Sequence, residues 1–247
     1  MELQRVGIYS PYMNLDGWFT QKNADNINEN GVISGLNCGW NTKAPEGETE
    51  NNRQRLYNEL GLDPDRVAHA GQVHGDSVKV VTKAGMHPRT DAMITVTRGV
   101  ALAIQVADCA AVLLADPESH VTGAIHAGWR GAAANIVPKT IQKMTRTASA
   151  RPEDMLVYIA PCISQHYFEV GPDVASLFPG QFVNTASFSK PHIDLRGFIH
   201  QQLLDAGIPE KQIEIDPGCT FRDAPLYYSY RREQEDAGRM LAIIRLK

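Results

Sequence analysis

Val100-Ala101-Leu102-Ala103-Ile104-Gln105-Val106 is followed, across Ala107-Asp108-Cys109, by Ala110-Ala111-Val112-Leu113-Leu114 and then by Val121-Thr122-Gly123-Ala124-Ile125. These runs are apolar, short and bounded by turn-forming residues, which predicts successive buried strands rather than helices. Upstream, Val67 to Val81 and Ala92 to Thr97 read the same way, preceded by a helix over Asn51 to Leu60 that Gly61 and Pro64 end. Downstream, Ala132 to Met144 is helix-forming apart from Pro138, which kinks or restarts it. A strand is expected at Met155 to Ile159, helices near Pro172 to Phe178 and Leu195 to Ala206, and strands at Gln212 to Ile215 and Met240 to Leu246. Asp16 to Gly31 and Asn41 to Thr49, rich in Asn, Asp and Gly, read as surface loops. Strands cluster instead of alternating strictly with helices, so the fold class is α+β, with residues 1–247 forming one domain.

The strand pattern places three metal-ligating side chains at strand ends: His74 in Gln72-Val73-His74-Gly75, Cys109 in Ala107-Asp108-Cys109, and His126 in His126-Ala127-Gly128-Trp129-Arg130-Gly131. One thiolate and two imidazoles suit zinc, or a copper site, and leave a fourth position free as in catalytic centres. Residue by residue a plainer reading stays open, because a Cys after an apolar run serves equally as a small core residue and a His among glycines as a turn residue. Gly128 to Gly131 would lie at a helix N-terminus, where backbone N–H groups and the Arg130 guanidinium favour an anion. The alternative there is a glycine turn with Trp129 packed and Arg130 in solvent.

Composition narrows the classes. The 247 residues are 43% hydrophobic and 21% charged, enough for a sizeable core, and the formal charge is −4 without a long basic run, so nucleic acid is not an expected partner. No apolar stretch approaches the roughly 18 residues needed to span a bilayer, and the polar start, Met1 to Arg5, has no signal-peptide character. Cys38, Cys109, Cys162 and Cys219 are scattered, unlike a secreted disulfide framework. The expectation is a cytoplasmic protein with reduced thiols, away from membranes.

Seven motifs, in order, carry a resemblance: Gly71-Gln72-Val73-His74-Gly75, Asp91-Ala92, Ala107-Asp108-Cys109, His126 to Gly131, Ala160-Pro161-Cys162-Ile163, Tyr167-Phe168-Glu169-Val170-Gly171 and Ser229-Tyr230-Arg231-Arg232. Together they resemble the YfiH, or laccase-domain, family, also described as multicopper polyphenol oxidases, purine nucleoside phosphorylases and peptidoglycan editing factors. The resemblance implies a four-layer α/β/β/α sandwich like that of cytotoxic necrotizing factors, with His74, Cys109 and His126 as metal ligands. It also implies small-molecule partners, a purine nucleoside and phosphate, for a monomer or small homo-oligomer. Arg130, Arg53, Gln72 and Asn37 are the expected substrate- or phosphate-binding residues, with Cys109, Asp108 and Arg130 catalytic.

Three activities compete. The first is purine nucleoside phosphorolysis of adenosine, inosine, guanosine and methylthioadenosine, joined by adenosine deamination. Water activated at a zinc site suits attack on purine C6, Asp108 is a carboxylate placed to move protons, and Arg130, Arg53, Arg231 and Arg232 are the guanidinium forks for phosphate. The His-x-Glu and Pro-Cys-x-x-Cys signature of other zinc deaminases is absent, and Cys162 with His166 forms at most a Cys-x-x-x-His pair better explained by packing. The second, a copper polyphenol oxidase, meets the objection that none of the eight His forms a His-x-His pair, so a four-copper relay lacks ligands. The third is a cysteine hydrolase acting on UDP-muramyl amino-acid precursors, with Cys109 as nucleophile and His126 or His74 as base. Two departures stand out: Asn28 occupies the place where relatives usually carry an Arg before Leu36-Asn37-Cys38-Gly39, and, as a smaller change, Ala160 replaces a usual Gly.

Overall fold

The structure is a computed structural model and describes residues 3–22 and 35–247; Asn28 lies outside the described residues. In chain order the elements are β1 (Leu3–Arg5), β2 (Leu15–Thr20), α1 (Glu48–Leu60), β3 (Val67–Gly71), β4 (Val78–Val80), β5 (Gly85–Pro88), β6 (Ala92–Thr95), β7 (Ala101–Val106), β8 (Ala110–Asp116) and β9 (Val121–Ala127). They continue as α2 (Trp129–Ala133), α3 (Ile136–Ala148), β10 (Leu156–Ile159), α4 (Pro172–Ala175), β11 (Val183–Asn184), β12 (His192–Ile193), α5 (Leu195–Asp205), β13 (Ile213–Ile215), α6 (Tyr230–Glu233) and β14 (Met240–Leu246).

Two six-stranded mixed sheets form, in the orders β1-β2-β14-β7-β3-β5 and β13-β10-β8-β9-β6-β4, and β11 and β12 make a separate small ribbon. Alternation along each strand explains why the sequence runs are apolar throughout. Leu102, Ile104 and Val106 point from the first sheet toward Ala111, Leu113 and Tyr158 of the second, while Ala101 and Ala103 point the other way, onto Leu56 and Tyr57 of α1. On the far face of the second sheet, Val112, Leu114 and Ile125 pack on Ile141 and Met144 of α3 and Phe198 and Ile199 of α5. Helix, sheet, sheet, helix is the four-layer sandwich, and the central strands β7, β8, β9 and β14 are buried on both faces.

The expected loop beginning at Asp16 is corrected at its start: β2 is buried throughout and pairs with β14, Leu15 opposite Leu246 and Phe19 opposite Ala242. Its polar appearance comes from Asp16, whose buried carboxylate is matched by Arg245 at 2.8 Å and Lys247 at 2.9 Å. The run Val67 to Val81 is not one strand but two, β3 in the first sheet and β4 in the second, with His74 in the crossing. The helix expected across Ala132 to Met144 breaks at Asn135, in left-handed backbone with φ 62°, so Pro138 falls in the first turn of α3, where its missing N–H leaves no bond unmade. The Gln202 amide of α5 closes the break by donating to the Ala132 carbonyl (3.0 Å) and to Asn135 Oδ1 (3.1 Å). Among the described residues no helix is long and apolar enough to cross a membrane.

Candidate metal centre and cavity

The three candidate ligands meet where the chain passes between the two sheets. His74 lies in the crossing from β3 to β4, Cys109 in the crossing from β7 to β8, and His126 on β9 opposite Ala111. Their ligating atoms all lie within 4.8 Å of one another, and the His74 and His126 rings sit edge to face at 4.7 Å. His126 is buried, Cys109 is partly covered and His74 is open to solvent.

Asp91, wholly buried at the start of β6, holds two of these ligands in place. Its Oδ1 accepts from the His74 backbone N–H (2.9 Å) and faces His126 Nδ1 at 2.9 Å, and its Oδ2 accepts from the Gly75 N–H (2.8 Å). The Val73 N–H donates to the same carboxylate at 3.2 Å. Those bonds stabilise the left-handed backbone of His74, φ 60°, and fix the His126 tautomer so that Nε2 is free to ligate. Burial alone would raise the Asp91 carboxyl, but the His126 bond and the Gly75 and Val73 donors hold it below the ordinary carboxylate range. In sequence Asp91 stands out only through the Asp91-Ala92 motif; the signal that marks it is a carboxylate entering a wholly buried strand.

Cys109 is tuned by the same cluster. Burial pushes the thiol up, yet the charge of His126 and hydrogen bonds from His126 and His74 outweigh it and bring Cys109 down to about 6. Burial would likewise lower His126, but Cys109 and Asp91 carry it up to about 9. A thiolate beside two imidazoles is the donor set of a zinc centre with an open position, so the residues present fit the metal. The glycines of the His126 motif make the room: a Cβ on Gly128 would sit 2.9 Å from Cys109 Sγ and 3.4 Å from His74 Cδ2, and one on Gly131 would lie 2.8 Å from the Gly75 carbonyl. Among the described residues this trio is the group able to hold a metal; Cys162 is in the sheet–helix core, and His166 packs on Tyr167 and Phe188.

A cavity of about 540 Å³ opens over the trio, walled by Trp129, Phe168, Ile163 and Tyr230 and by the polar side chains of Gln72, Gln105, Asp108, Arg231, Glu235 and Arg239. Several expected site residues take other places. Arg130 is exposed, stacked on the Trp129 ring at 4.0 Å and absent from the cavity wall. Arg53 is outside it too, donating to the carbonyls of Cys38 (3.1 Å) and Gly39 (3.2 Å) and lying over Trp40. Asn37 is a buried brace whose Oδ1 accepts from the Gly39 and Arg239 N–H groups, each at 3.0 Å. Gln72 reaches the cavity, but its amide is exchanged with the Gln105 backbone, donating at 2.8 Å and accepting at 2.9 Å. Asp108, in left-handed backbone at φ 88°, accepts from the Thr220 hydroxyl (2.7 Å) and the Arg231 N–H (2.6 Å), which anchors α6 to the cavity.

Residues 18–247 match the family described as multi-copper polyphenol oxidoreductase laccase. The chain belongs to that family. Among curated relatives it is 38% identical over 220 residues to a purine nucleoside phosphorylase of Deinococcus radiodurans, covering 87% of this chain and 84% of that protein. A purine nucleoside phosphorylase of Corynebacterium glutamicum is 38% identical over 190 residues, 74% of this chain and 75% of the relative. Two solved structures, hypothetical protein YfiH of Bacillus licheniformis and YlmD of Geobacillus stearothermophilus, superpose with TM-scores of 0.87 at 27% and 28% identity. They cover 97% and 96% of this chain, and 94% and 93% of their own chains. The expected family and sandwich fold therefore hold. Among the described residues one His-Cys-His trio comes together as a group able to hold a metal.

Proposed function

We propose that this protein is a zinc-dependent purine nucleoside phosphorylase, acting on adenosine, inosine, guanosine and methylthioadenosine, with adenosine deaminase activity. One observation carries the reading: the His74, Cys109 and His126 donor set forms the floor of a cavity whose walls combine aromatic faces with unspent polar groups. A volume of about 540 Å³ lies in the range of small-molecule sites. Zinc held by the trio would supply a Lewis acid there. Trp129, Phe168 and Tyr230 give a flat heterocycle surfaces to stack on. Gln105 accepts from the Trp40 N–H at 3.2 Å through Oε1, which leaves its NH2 to donate to an acceptor atom of a purine. Asp108, with both oxygens engaged by Thr220 and the Arg231 N–H, positions the wall. The names of the curated relatives, purine nucleoside phosphorylases, support the phosphorolysis part of this reading.

A second reading is favoured by one feature. Asp91, His126 and Cys109 form a carboxylate–imidazole–thiol chain, the arrangement of a cysteine hydrolase. Chromatography of products from zinc-loaded protein and adenosine, with and without phosphate and beside Cys109→Ala, separates them. Adenine and ribose 1-phosphate appearing only with phosphate establish phosphorolysis, and inosine formed without phosphate establishes deamination. Intact adenosine in both mixtures overturns the nucleoside reading and moves the search to UDP-muramyl amino acids.

A further inference from the structure

Five arginines lie on or near the cavity side of the fold, and their side chains are spent very differently. Arg232 is consumed by Glu233 (2.6 Å) and by the carbonyls of Thr220, Phe221 and Tyr227. Arg53 is turned to backbone carbonyls, and Arg130 lies outside on Trp129. Arg231 and Arg239 line the cavity beside the metal trio, and both are half-buried. Arg231 uses Nη2 on the Glu169 carbonyl (2.9 Å), and Arg239 uses Nη1 on the carbonyls of Ala237 (2.6 Å) and Gly238 (2.9 Å). Each fork keeps Nε and one further nitrogen for a ligand.

The carbonyl bonds fix both guanidinium planes before anything binds, which removes the ordering cost that a free surface arginine would bear. Among the described residues neither is held in an ion pair; burial lowers Arg239 from its ordinary value against the longer-range charges of Cys109, Tyr230, Asp108 and Glu235, and Arg231 lies within electrostatic range of Glu169. Asp108 is occupied by Thr220 and the Arg231 backbone, and Glu235, on the same wall, accepts from the Tyr230 hydroxyl at 2.8 Å. Two oriented, half-desolvated cations facing one cavity without a carboxylate clamp are an incomplete charge arrangement, and a bidentate oxyanion completes it.

We propose that Arg231 and Arg239 form a subsite for a tetrahedral phosphate group, supplied as inorganic phosphate or as the phosphate ester of a nucleotide. The subsite deepens the phosphorolysis reading and rests on it for the identity of the anion. It replaces Arg130, which the His126 motif had suggested.

The test is calorimetric titration of zinc-loaded protein with inorganic phosphate and, separately, with adenosine 5′-monophosphate, using wild type, Arg231→Gln, Arg239→Lys and Arg130→Gln. Arg239→Lys keeps the charge near the backbone it braces but loses the fork, so it guards against a variant that fails to fold. Losing a charge-assisted fork is expected to weaken phosphate roughly tenfold or more in each pocket variant, with Arg130→Gln unchanged. Binding of the nucleotide alone, with the same dependence on both arginines, upholds the subsite for a phosphate ester. Folded pocket variants that bind phosphate within about twofold of wild type, a loss confined to Arg130→Gln, or no binding of either probe overturns it. Phosphate affinity that follows the two arginines in a protein that leaves purine nucleosides intact would uphold the subsite and sink the nucleoside reading.

Discussion

Asp91→Asn changes one atom and strikes the centre through its support. The carboxylate takes His74 N–H and His126 Nδ1 on one oxygen and Gly75 N–H on the other, with Val73 N–H shared between them. Asparagine keeps a single acceptor, so its NH2 faces either the Gly75 donor or the His126 ring. In the first case a buried donor–donor contact replaces a charge-assisted bond. In the second, His126 must accept at Nδ1, which puts its proton on Nε2 and removes it as a ligand. Losing one bond to a charged group and leaving a buried N–H unpaired amounts to about 3–5 kcal/mol of folding stability. Zinc affinity should fall roughly 10- to 100-fold, as for other residues that orient a ligand. Guanidinium unfolding gives the first quantity, and competition with a chromophoric chelator gives the second. A variant that holds zinc within about twofold of wild type and unfolds at an unchanged midpoint would refute the positioning role assigned to Asp91.

Gly128→Ala should lower zinc stoichiometry at little cost in folding, since the backbone there (φ −73°) accepts alanine and the conflict is the 2.9 Å approach to Cys109 Sγ; metal analysis of the purified variant checks it. His69, whose Nδ1 is buried without a partner among the described residues, is pushed down to about 3 by burial and by the Arg53 charge. Its neutral form is the folded one, so its contribution is complete above the unfolded value of about 6.5 and is lost as pH falls toward 3, by at most about 1.4 kcal/mol per pH unit. Unfolding free energies measured across that window should therefore slope less steeply in His69→Gln than in wild type, and parallel curves would contradict the assignment. Leu113→Ala, between the two sheets, should cost about 2–5 kcal/mol in denaturant unfolding, whereas a near-neutral result would mean that the sheets do not share that core.

What could be read from the sequence depended on how local the determining physics is. β7, β8, β9 and β14 were legible because burial on both faces makes them apolar without interruption, and the edges differ by only a residue or two. β2 was not, because Asp16 and Gly17 look like loop residues until Arg245 and Lys247, from the other end of the chain, neutralise the carboxylate. The exposed strand β5 has no apolar face to betray it. In the site, the metal trio could be proposed from residue chemistry and motif order, but its convergence depends on two passages between sheets that spacing does not encode. Arg130 was attractive as the neighbour of His126 in a motif, yet in α2 it lies one residue, about 100°, beyond cavity-lining Trp129 and faces solvent. Arg231 is one of four candidate phosphate forks in sequence and Arg239 is not among them; the carbonyls that hold the two side chains are what orient both at the cavity.

The most direct measurement of the central claim is zinc content and nucleoside turnover in one protein preparation, stripped with chelator and reloaded in steps. The account predicts that phosphate-dependent release of adenine rises in proportion to bound zinc and levels off at one zinc per chain. Full turnover by the metal-free protein would contradict it and leave Cys109 to act as a nucleophile.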